Sequence, residues 1–312
     1  MKHILFIGYS NLLRRRILPI LSQTNFTSIS IAKHESQNWE NDQIGYTKFN
    51  NFEDAFNDCK ADIVYISTIN SSHYELALKA LNNGFNVIVD KPSTLCYNDT
   101  KHLVEVAKFK KVLICESTVY LNHPQFFLIN EFLSNRNFKI KHITIHFSFP
   151  PLNQDNFRYK KNAGGGAIFD TGPYVASIGR YFFNEVPSKA SVNVLGSNSE
   201  VETAYSVLLK YSEGRSIMAF CSFCTEYINR INILGDHFLI DLDRVFTIPD
   251  DCENKLIIRS RNESETIIAK KGNSFLLFLN EINEALDSKN YNHFYQNMLI
   301  DSETIQKLIN NK

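Results

Sequence analysis

Two short stretches of this sequence carry residue types that could do chemistry. In Val89-Asp90-Lys91-Pro92 an acid, an amine and a proline end an apolar run in direct succession. Charges at such a place need a reason, because burying them unpaired is costly. An ammonium there can polarise a carbonyl and stabilise the alkoxide that forms on it. The proline fixes the chain beside it, with a cis bond as one option. The plainer alternative is a solvated strand end. The second stretch runs from Ala163 to Tyr174 and opens with Gly164-Gly165-Gly166. Glycines let the backbone come close to a ligand or another strand. Asp170 and Tyr174 are four apart and share a face on a helical turn. A phenol near a lysine can hand a proton to a carbonyl oxygen, because the cation lowers its pKa. Here the alternative is a Gly-rich loop with a capping Asp and a core Tyr.

A cofactor site is suggested nearer the N-terminus. Gly8-Tyr9-Ser10-Asn11-Leu12-Leu13 follows the first apolar run, where a GxGxxG turn would cradle a pyrophosphate. Only the first glycine is present; Ser10 is small enough for backbone approach, and Leu13 stands where the third glycine packs helix on strand. Alone, the stretch also fits an ordinary strand-to-helix turn. After the second strand come Lys33 and His34 where an NAD enzyme places an acid, and cations there suit a 2′-phosphate; a solvated loop is the alternative. Ser67-Thr68-Ile69-Asn70-Ser71-Ser72-His73 follows the next strand, at the edge where ligands bind, but its residues also suit a helix entry. Cys221-Ser222-Phe223-Cys224 is a lone CxxC in a strand-like run and reads as buried structural thiols. His142 and His146 share a strand face without an acidic partner cluster, and no G-x-S-x-G elbow is present.

The elements that must position these residues change character along the chain. Up to about Glu116, short β-rich runs alternate with helical patterns: strands near 3–7, 28–32, 62–66, 86–89 and 112–115, helices near 12–21, 52–57, 72–82 and 98–109. That alternation predicts a parallel sheet with right-handed crossovers. Helices are expected at 125–133 and 174–182. Long alternating strands follow at 140–149, 189–195, 203–211, 215–223, 228–234 and 238–241, and the chain ends in helices at 275–286 and 301–310. The expected fold is α/β: a Rossmann-type parallel sheet over 1–118, then a substrate-binding and oligomerisation α+β domain over 119–312, built on an open, mostly antiparallel sheet, with the site in the cleft between them. Lys+Arg and Asp+Glu are 33 each, which speaks against a nucleic-acid or polyanion binder. No apolar run is long enough to span a membrane, Met1–Ile7 is too short for a signal peptide, and the six cysteines show no disulfide framework. A cytoplasmic protein without membrane or nucleic-acid partners is expected.

Taken in order, these residues resemble the Gfo/Idh/MocA family of oxidoreductases. The resemblance rests on the Rossmann turn followed by Arg14-Arg15-Arg16-Ile17-Leu18-Pro19, on Thr68-x-Asn70-x-x-His73, on Asp90-Lys91-Pro92 for Glu-Lys-Pro, on Glu116 and Tyr120 ahead of His123-Pro124-Gln125, and on Gly164 to Tyr174. It covers the chain from Ile4 to about Pro187, more loosely beyond. Within the family, His123-Pro124-Gln125, Phe149-Pro150-Pro151, Phe157-Arg158-Tyr159 and a tyrosine at 174 look most like the sugar-nucleotide 3-ketoreductases of deoxysugar biosynthesis. The chain departs from the pattern in the lost glycines, in Asp90 for Glu, and in Leu121 where relatives often have Arg.

The resemblance implies NADP(H) ahead of NAD(H). Expected cofactor contacts are Gly8, Ser10, Asn11 and Leu12 in the turn, Lys33 and His34 after the second strand, Thr68, Asn70 and His73, and Asp90, Lys91 and Pro92. Lys91 and Tyr174 are the expected catalytic pair. Tyr120, His123, Arg158, Tyr159 and Asp170 are expected on the substrate, with Arg158 and Lys160 meeting a diphosphate and Tyr159 stacking on a ring. No metal is expected, and a homodimer or homotetramer is. The leading function is reduction of a keto group of a sugar or sugar nucleotide. The alternatives are an NAD-dependent dehydrogenase of free sugars or inositols and a non-catalytic dinucleotide-binding regulator.

Overall fold

Ile4–Ile7, Ile63–Ile66 and Val87–Val89 are runs of apolar and β-branched residues with no exposed surface. Runs apolar on both faces belong to strands covered on both sides, as in parallel sheets flanked by helices. The computed structural model of the chain describes residues 2–39, 45–261 and 263–312. It divides by packing into two units: 1–117 with 278–299, and 118–277 with 300–312. This grouping differs from the expected single boundary at 118 in placing 278–299 with the first unit.

The first unit holds β1 (Lys2–Ile7), β2 (Phe26–Ala32), β3 (Thr47–Phe49), α1 (Phe52–Asp58), β4 (Ile63–Ile66), α2 (His73–Asn82), β5 (Asn86–Val89), α3 (Tyr97–Lys110) and β6 (Ile114–Glu116). Its six strands are all parallel, in the order β3-β2-β1-β4-β5-β6. The order reverses direction at β1, so Gly8, Lys33, Ser67, Asp90 and Ser117 all lie just past carboxyl ends of strands, the edge where such sheets bind ligands. The stretch read as a helix over 12–21 is not α-helical. A wide turn runs from Leu13 to Ile17, with Leu18 N–H reaching Leu13 O, and tighter 3₁₀ turns continue to Gln23. Pro19 has no N–H to give to an α-helical ladder.

The second unit contains α4 (Pro124–Arg136), β7 (Ile140–Ser148), α5 (Ala167–Phe183), β8 (Lys189–Ser197), β9 (Glu202–Lys210), β10 (Ser216–Ser222), β11 (Ile228–Gly235), β12 (Leu239–Asp243), β13 (Asn254–Arg259) and β14 (Ser264–Ala269). They form one eight-stranded sheet, β14-β13-β12-β11-β7-β10-β9-β8, antiparallel except for the β7–β10 pair. One face packs against α5 through Ile145, Tyr205, Val207 and Ile217. On the other face Leu208 lies opposite Met218, and both are exposed, as is Leu234. β13 and β14 went unforeseen because Lys255, Arg259, Glu263 and Glu265 mask their alternation. The last helices are α6 (Ser274–Ser288) and α7 (Asn292–Asn310), the latter beginning at Asn292 rather than Asp301.

Helix α5 starts at Ala167, one turn and more ahead of the expected start at Tyr174. The three glycines therefore abut its N-terminus, and Asp170 and Tyr174 both stand on it. Pro173 sits inside the helix. The CxxC is split: Cys221 is buried, with burial raising its pKa to about 11, whereas Cys224 is exposed, so only one of the two is a buried thiol. No helix among the described residues is long and apolar enough to cross a membrane.

Candidate active site

The turn after β1 is shaped by Gly8. Its φ is +108°, and a Cβ there would stand 2.1 Å from the Ser67 carbonyl oxygen. Any side chain would both strain the backbone and fill the space where the turn meets the end of β4. This is the one fingerprint glycine the chain retains, and it is the one the packing demands. Leu13, in the third-glycine position, is fully buried core. Ser10 is half-buried; its Oγ lies 2.7 Å from Ser67 Oγ and accepts the Leu13 N–H at 3.0 Å. Asn11 is exposed and accepts from Arg14 at 2.7 Å, and Leu12 is half-buried. Gly8 is buried and gives its N–H to Ala32 O at 2.9 Å, so close packing against the end of β4 is what requires a glycine here.

Lys33, at the end of β2, is buried, and its ammonium donates to the Glu35 carbonyl at 3.4 Å. His34 is exposed, with Nδ1 2.8 Å from Ser36 Oγ. The two neighbours expected to act as one cationic patch thus differ: one is enclosed, the other faces solvent.

Asp90 is the polar centre of this edge. Its Oδ1 accepts the Tyr65 hydroxyl at 2.8 Å and the Ser117 hydroxyl at 3.1 Å, and its Oδ2 accepts Ser67 Oγ–H at 2.6 Å. Burial first, and the Asp90 charge second, push the Tyr65 phenol well above its ordinary pKa, so it stays a proton donor. Lys91 follows, half-buried, and the Lys91-Pro92 bond is cis. Glu116 accepts the Ser93 N–H at 2.6 Å. His73 has no exposed surface; Nδ1 lies 2.7 Å from Pro92 O and Nε2 3.2 Å from Thr68 O. Burial lowers its pKa, against an opposite pull from the Pro92 carbonyl. His73 thus joins the loop after β4 to the loop after β5 instead of presenting a ring to a ligand. Thr68 accepts from Ser72 at 2.8 Å, and Asn70 is buried at the entry to α2. Tyr65 and Ser117 escaped the sequence reading, and Ser67 entered it only as the first residue of the stretch after β4. The one available signal was Tyr65 itself, a phenol inside an apolar strand, which needs a partner.

In the second unit the glycine turn is held tightly. Gly166 has φ +115°, and a Cβ on Gly165 would meet Arg158 O at 2.5 Å. Glu202 accepts the Ile168 N–H at the start of α5, where a carboxylate complements the helix dipole. Asp170, buried, pairs with Arg158 at 2.9 Å. The guanidinium expected for a diphosphate is thus already engaged by a carboxylate. Lys160 is exposed. Tyr159 is half-buried, its hydroxyl accepting the Leu152 N–H at 3.0 Å and its ring meeting Phe223 edge-on at 5.3 Å.

Tyr174 stands half-exposed in a cluster of rings: Phe147 at 5.0 Å, Phe246 at 5.0 Å and Tyr120 at 5.4 Å. Two residues expected on the substrate are instead interior. Tyr120 is buried, its hydroxyl 2.6 Å from Ser177 Oγ, and burial raises its pKa well above the ordinary value. His123 is buried at the start of α4, where Nδ1 accepts the Gln125 N–H at 3.2 Å, and burial lowers its pKa to about 4. Tyr120 supports the Tyr174 ring, and His123 caps a helix.

A Rossmann-type sheet with a lysine at its carboxyl edge, together with an open antiparallel sheet, defines a class of dinucleotide-dependent oxidoreductases. Two family models match: the oxidoreductase family with an NAD-binding Rossmann fold over residues 2–117, and the GFO/IDH/MocA C-terminal domain over 139–240. The chain belongs to the GFO/IDH/MocA oxidoreductase family. Among curated relatives, the dTDP-3,4-didehydro-2,6-dideoxy-alpha-D-glucose 3-reductase of Saccharopolyspora spinosa is 30% identical over 195 residues, 60% of this chain and 57% of that protein. The enzyme of the same name from Actinomadura kijaniata is 23% identical over 276 residues, 86% of this chain and 82% of that protein. The crystal structure of KijD10, a 3-ketoreductase from Actinomadura kijaniata in complex with NADP and TDP-benzene, shares the fold with a TM-score of 0.91 at 21% identity, over 99% of this chain and 97% of that one.

Proposed function

We propose that this protein is an NADPH-dependent reductase of a keto group on a sugar, and that the sugar is a deoxy-keto sugar carried on a nucleoside diphosphate and reduced at C3. The observation that carries the proposal is Lys91, half-buried at the sheet's carboxyl edge and next to an Asp90 that the cofactor turn reaches through Ser67. The 3-reductase names of the relatives support the substrate class.

A bound nicotinamide would supply the hydride. Gly8 is the glycine that the packing of the turn against Ser67 requires, and Lys33, with one long carbonyl contact, keeps ammonium donors for a 2′-phosphate. Lys91 donates to the substrate carbonyl oxygen and stabilises negative charge as it develops there. Tyr174 supplies the proton, its ring held in place by Phe147, Phe246 and Tyr120. Lys160, with the N–H groups of Arg158 that Asp170 leaves over, meets the substrate's diphosphate. A second copy of the chain covers the sheet face carrying Leu208, Met218 and Leu234; a monomer in sedimentation at micromolar concentration would reject that pairing.

The function is tested by comparing kcat/KM for a nucleotide-linked 3-keto-deoxysugar with that for the same sugar without its nucleotide, using NADPH and then NADH. NADPH should be preferred by about tenfold or more. The free sugar should be worse by roughly two or more powers of ten, since remote binding energy is used at the reacting carbon. Equal efficiency of the two sugars, or activity only on free aldoses or inositols, overturns the proposal.

A further inference from the structure

The hydrogen bonds around Asp90 have a direction. A carboxylate only accepts, and each hydroxyl has one proton to give. Tyr65, Ser67 and Ser117 all give theirs to Asp90. Having donated, Ser67 can only accept at its 2.7 Å contact with Ser10, so the Ser10 proton points at Ser67. Ser10 Oγ then accepts in turn, and it does so from the Leu13 N–H at 3.0 Å. The result is a one-way relay: Leu13 N–H to Ser10, Ser10 to Ser67, Ser67 to Asp90.

The relay joins loops past the ends of β1, β4 and β5, with Ser117 adding the end of β6; these are four neighbouring strands of the sheet. The main chain is tied at the same places. Ser67 N–H reaches Ile7 O at 2.8 Å, Asp90 N–H reaches Ile66 O at 3.0 Å, and Ser117 N–H reaches Val89 O at 2.9 Å. Ser67 has 1% of its surface exposed, Ser117 7% and Tyr65 none. Such hydroxyl-to-carboxylate contacts are short and charge-assisted, and a chain of them polarises along its length.

We propose that Asp90 is a positioning residue whose carboxylate orients this relay, and that the Ser10 hydroxyl is an internal link in it and not a donor to the cofactor's diphosphate. The inference deepens the function proposed above and rests on it for the identity of the cofactor. It revises the part expected of Ser10. Where a second glycine would let a ligand approach, this chain has a hydroxyl whose proton is already committed inward. The turn and the strand end that carries Lys91 then hold their geometry together.

The test is a pair of comparisons read on NADPH binding by fluorescence titration. Ser10→Ala should weaken NADPH about three- to tenfold in the wild-type background, through loss of one hydrogen bond's worth of ordering. In a Ser67→Ala background, where the relay is already cut, the same change should cost less than about twofold, and likewise in Asp90→Asn. If Ser10 donated to the diphosphate, its removal would cost the same factor in all three backgrounds, and that result overturns the proposal. A structural change alone would move the urea midpoint and leave the dissociation constant of the folded protein unchanged, which also overturns it. If the wild type binds no NADPH at all, the proposed function falls. The relay is then decided on the protein without cofactor: the shift in urea midpoint caused by Ser10→Ala must vanish in the Ser67→Ala background, and an equal shift in both rejects it.

Discussion

The surroundings of Asp90 in the first unit and of Tyr174 in the second differ in how they hold a polar group. At the carboxyl edge of the parallel sheet, Asp90 gathers three hydroxyls and His73 joins two loops, so polar atoms satisfy one another as a group. In the second unit the expected proton donor, Tyr174, rests on rings, and some buried side-chain atoms lack a partner. His123 Nε2, Tyr211 Oη and Asp301 Oδ1 have no hydrogen-bond partner among the described residues. The difference concerns how a change spreads. A relay passes the loss of one member to the others, whereas a ring cluster or an isolated buried group keeps the loss local.

The largest expected effect lies at the first of these regions. Lys91→Ala should lower kcat by roughly 10²–10³-fold, the usual cost of removing a preorganised donor at a developing alkoxide, while far-ultraviolet circular dichroism and the urea midpoint stay near wild type. Near-normal turnover would take the lysine out of the mechanism and leave the polar edge as a cofactor platform only.

Two buried titratable groups of the second unit should reveal themselves through pH. His123 has its folded pKa lowered to about 4 by burial, against ~6.5 when unfolded. Its neutral form is what the fold holds, so the contribution is complete above about 6.5 and is lost as pH falls toward 4. Asp301 has its pKa raised to about 6, by burial and in spite of Arg180 at 2.9 Å. Its protonated form is favoured in the fold, so its contribution grows as pH falls from about 6 toward 4. The two slopes oppose each other in one window. Relative to wild type, His123→Asn should raise unfolding free energy at pH 5 compared with pH 7, and Asp301→Asn should lower it, each by about 1–3 kcal/mol. Urea unfolding at the two pH values reads this. Parallel profiles for all three proteins would reject both shifts.

The smallest effect is expected from Tyr120→Phe. It removes the hydroxyl bonded to Ser177 but keeps the ring beside Tyr174. Stability should drop by about 1 kcal/mol, with kcat/KM changed by less than about threefold. A loss of a hundredfold would put the Tyr120 hydroxyl on the substrate and erase the contrast between the two regions.

Much of the architecture was legible without coordinates. Alternating β-rich and helical runs up to Glu116 are enough to specify a parallel sheet, because strands buried on both faces must be apolar throughout and their crossovers must be helical. The position of Gly8 just after β1 and of Lys91 just after β5 followed from the same periodicity. The motif order then tied these positions to a family. Local spacing says which residues lie near an edge, since strand ends are local features.

Tertiary structure alone decided which residues meet. Ser10 and Ser67 are 57 positions apart, and Ser67 and Asp90 are 23 apart; nothing in either neighbourhood marks them as partners. Tyr120 and His123 sit in motif-like positions, yet both turned out to be interior. Burial depends on what packs from elsewhere, as Phe246 and Ser177 do on Tyr120. The grouping of 278–299 with the first unit is a matter of the same kind. A sequence specifies each residue's chemistry and its local geometry, whereas solvent exclusion and hydrogen-bond pairing are properties of the packed chain.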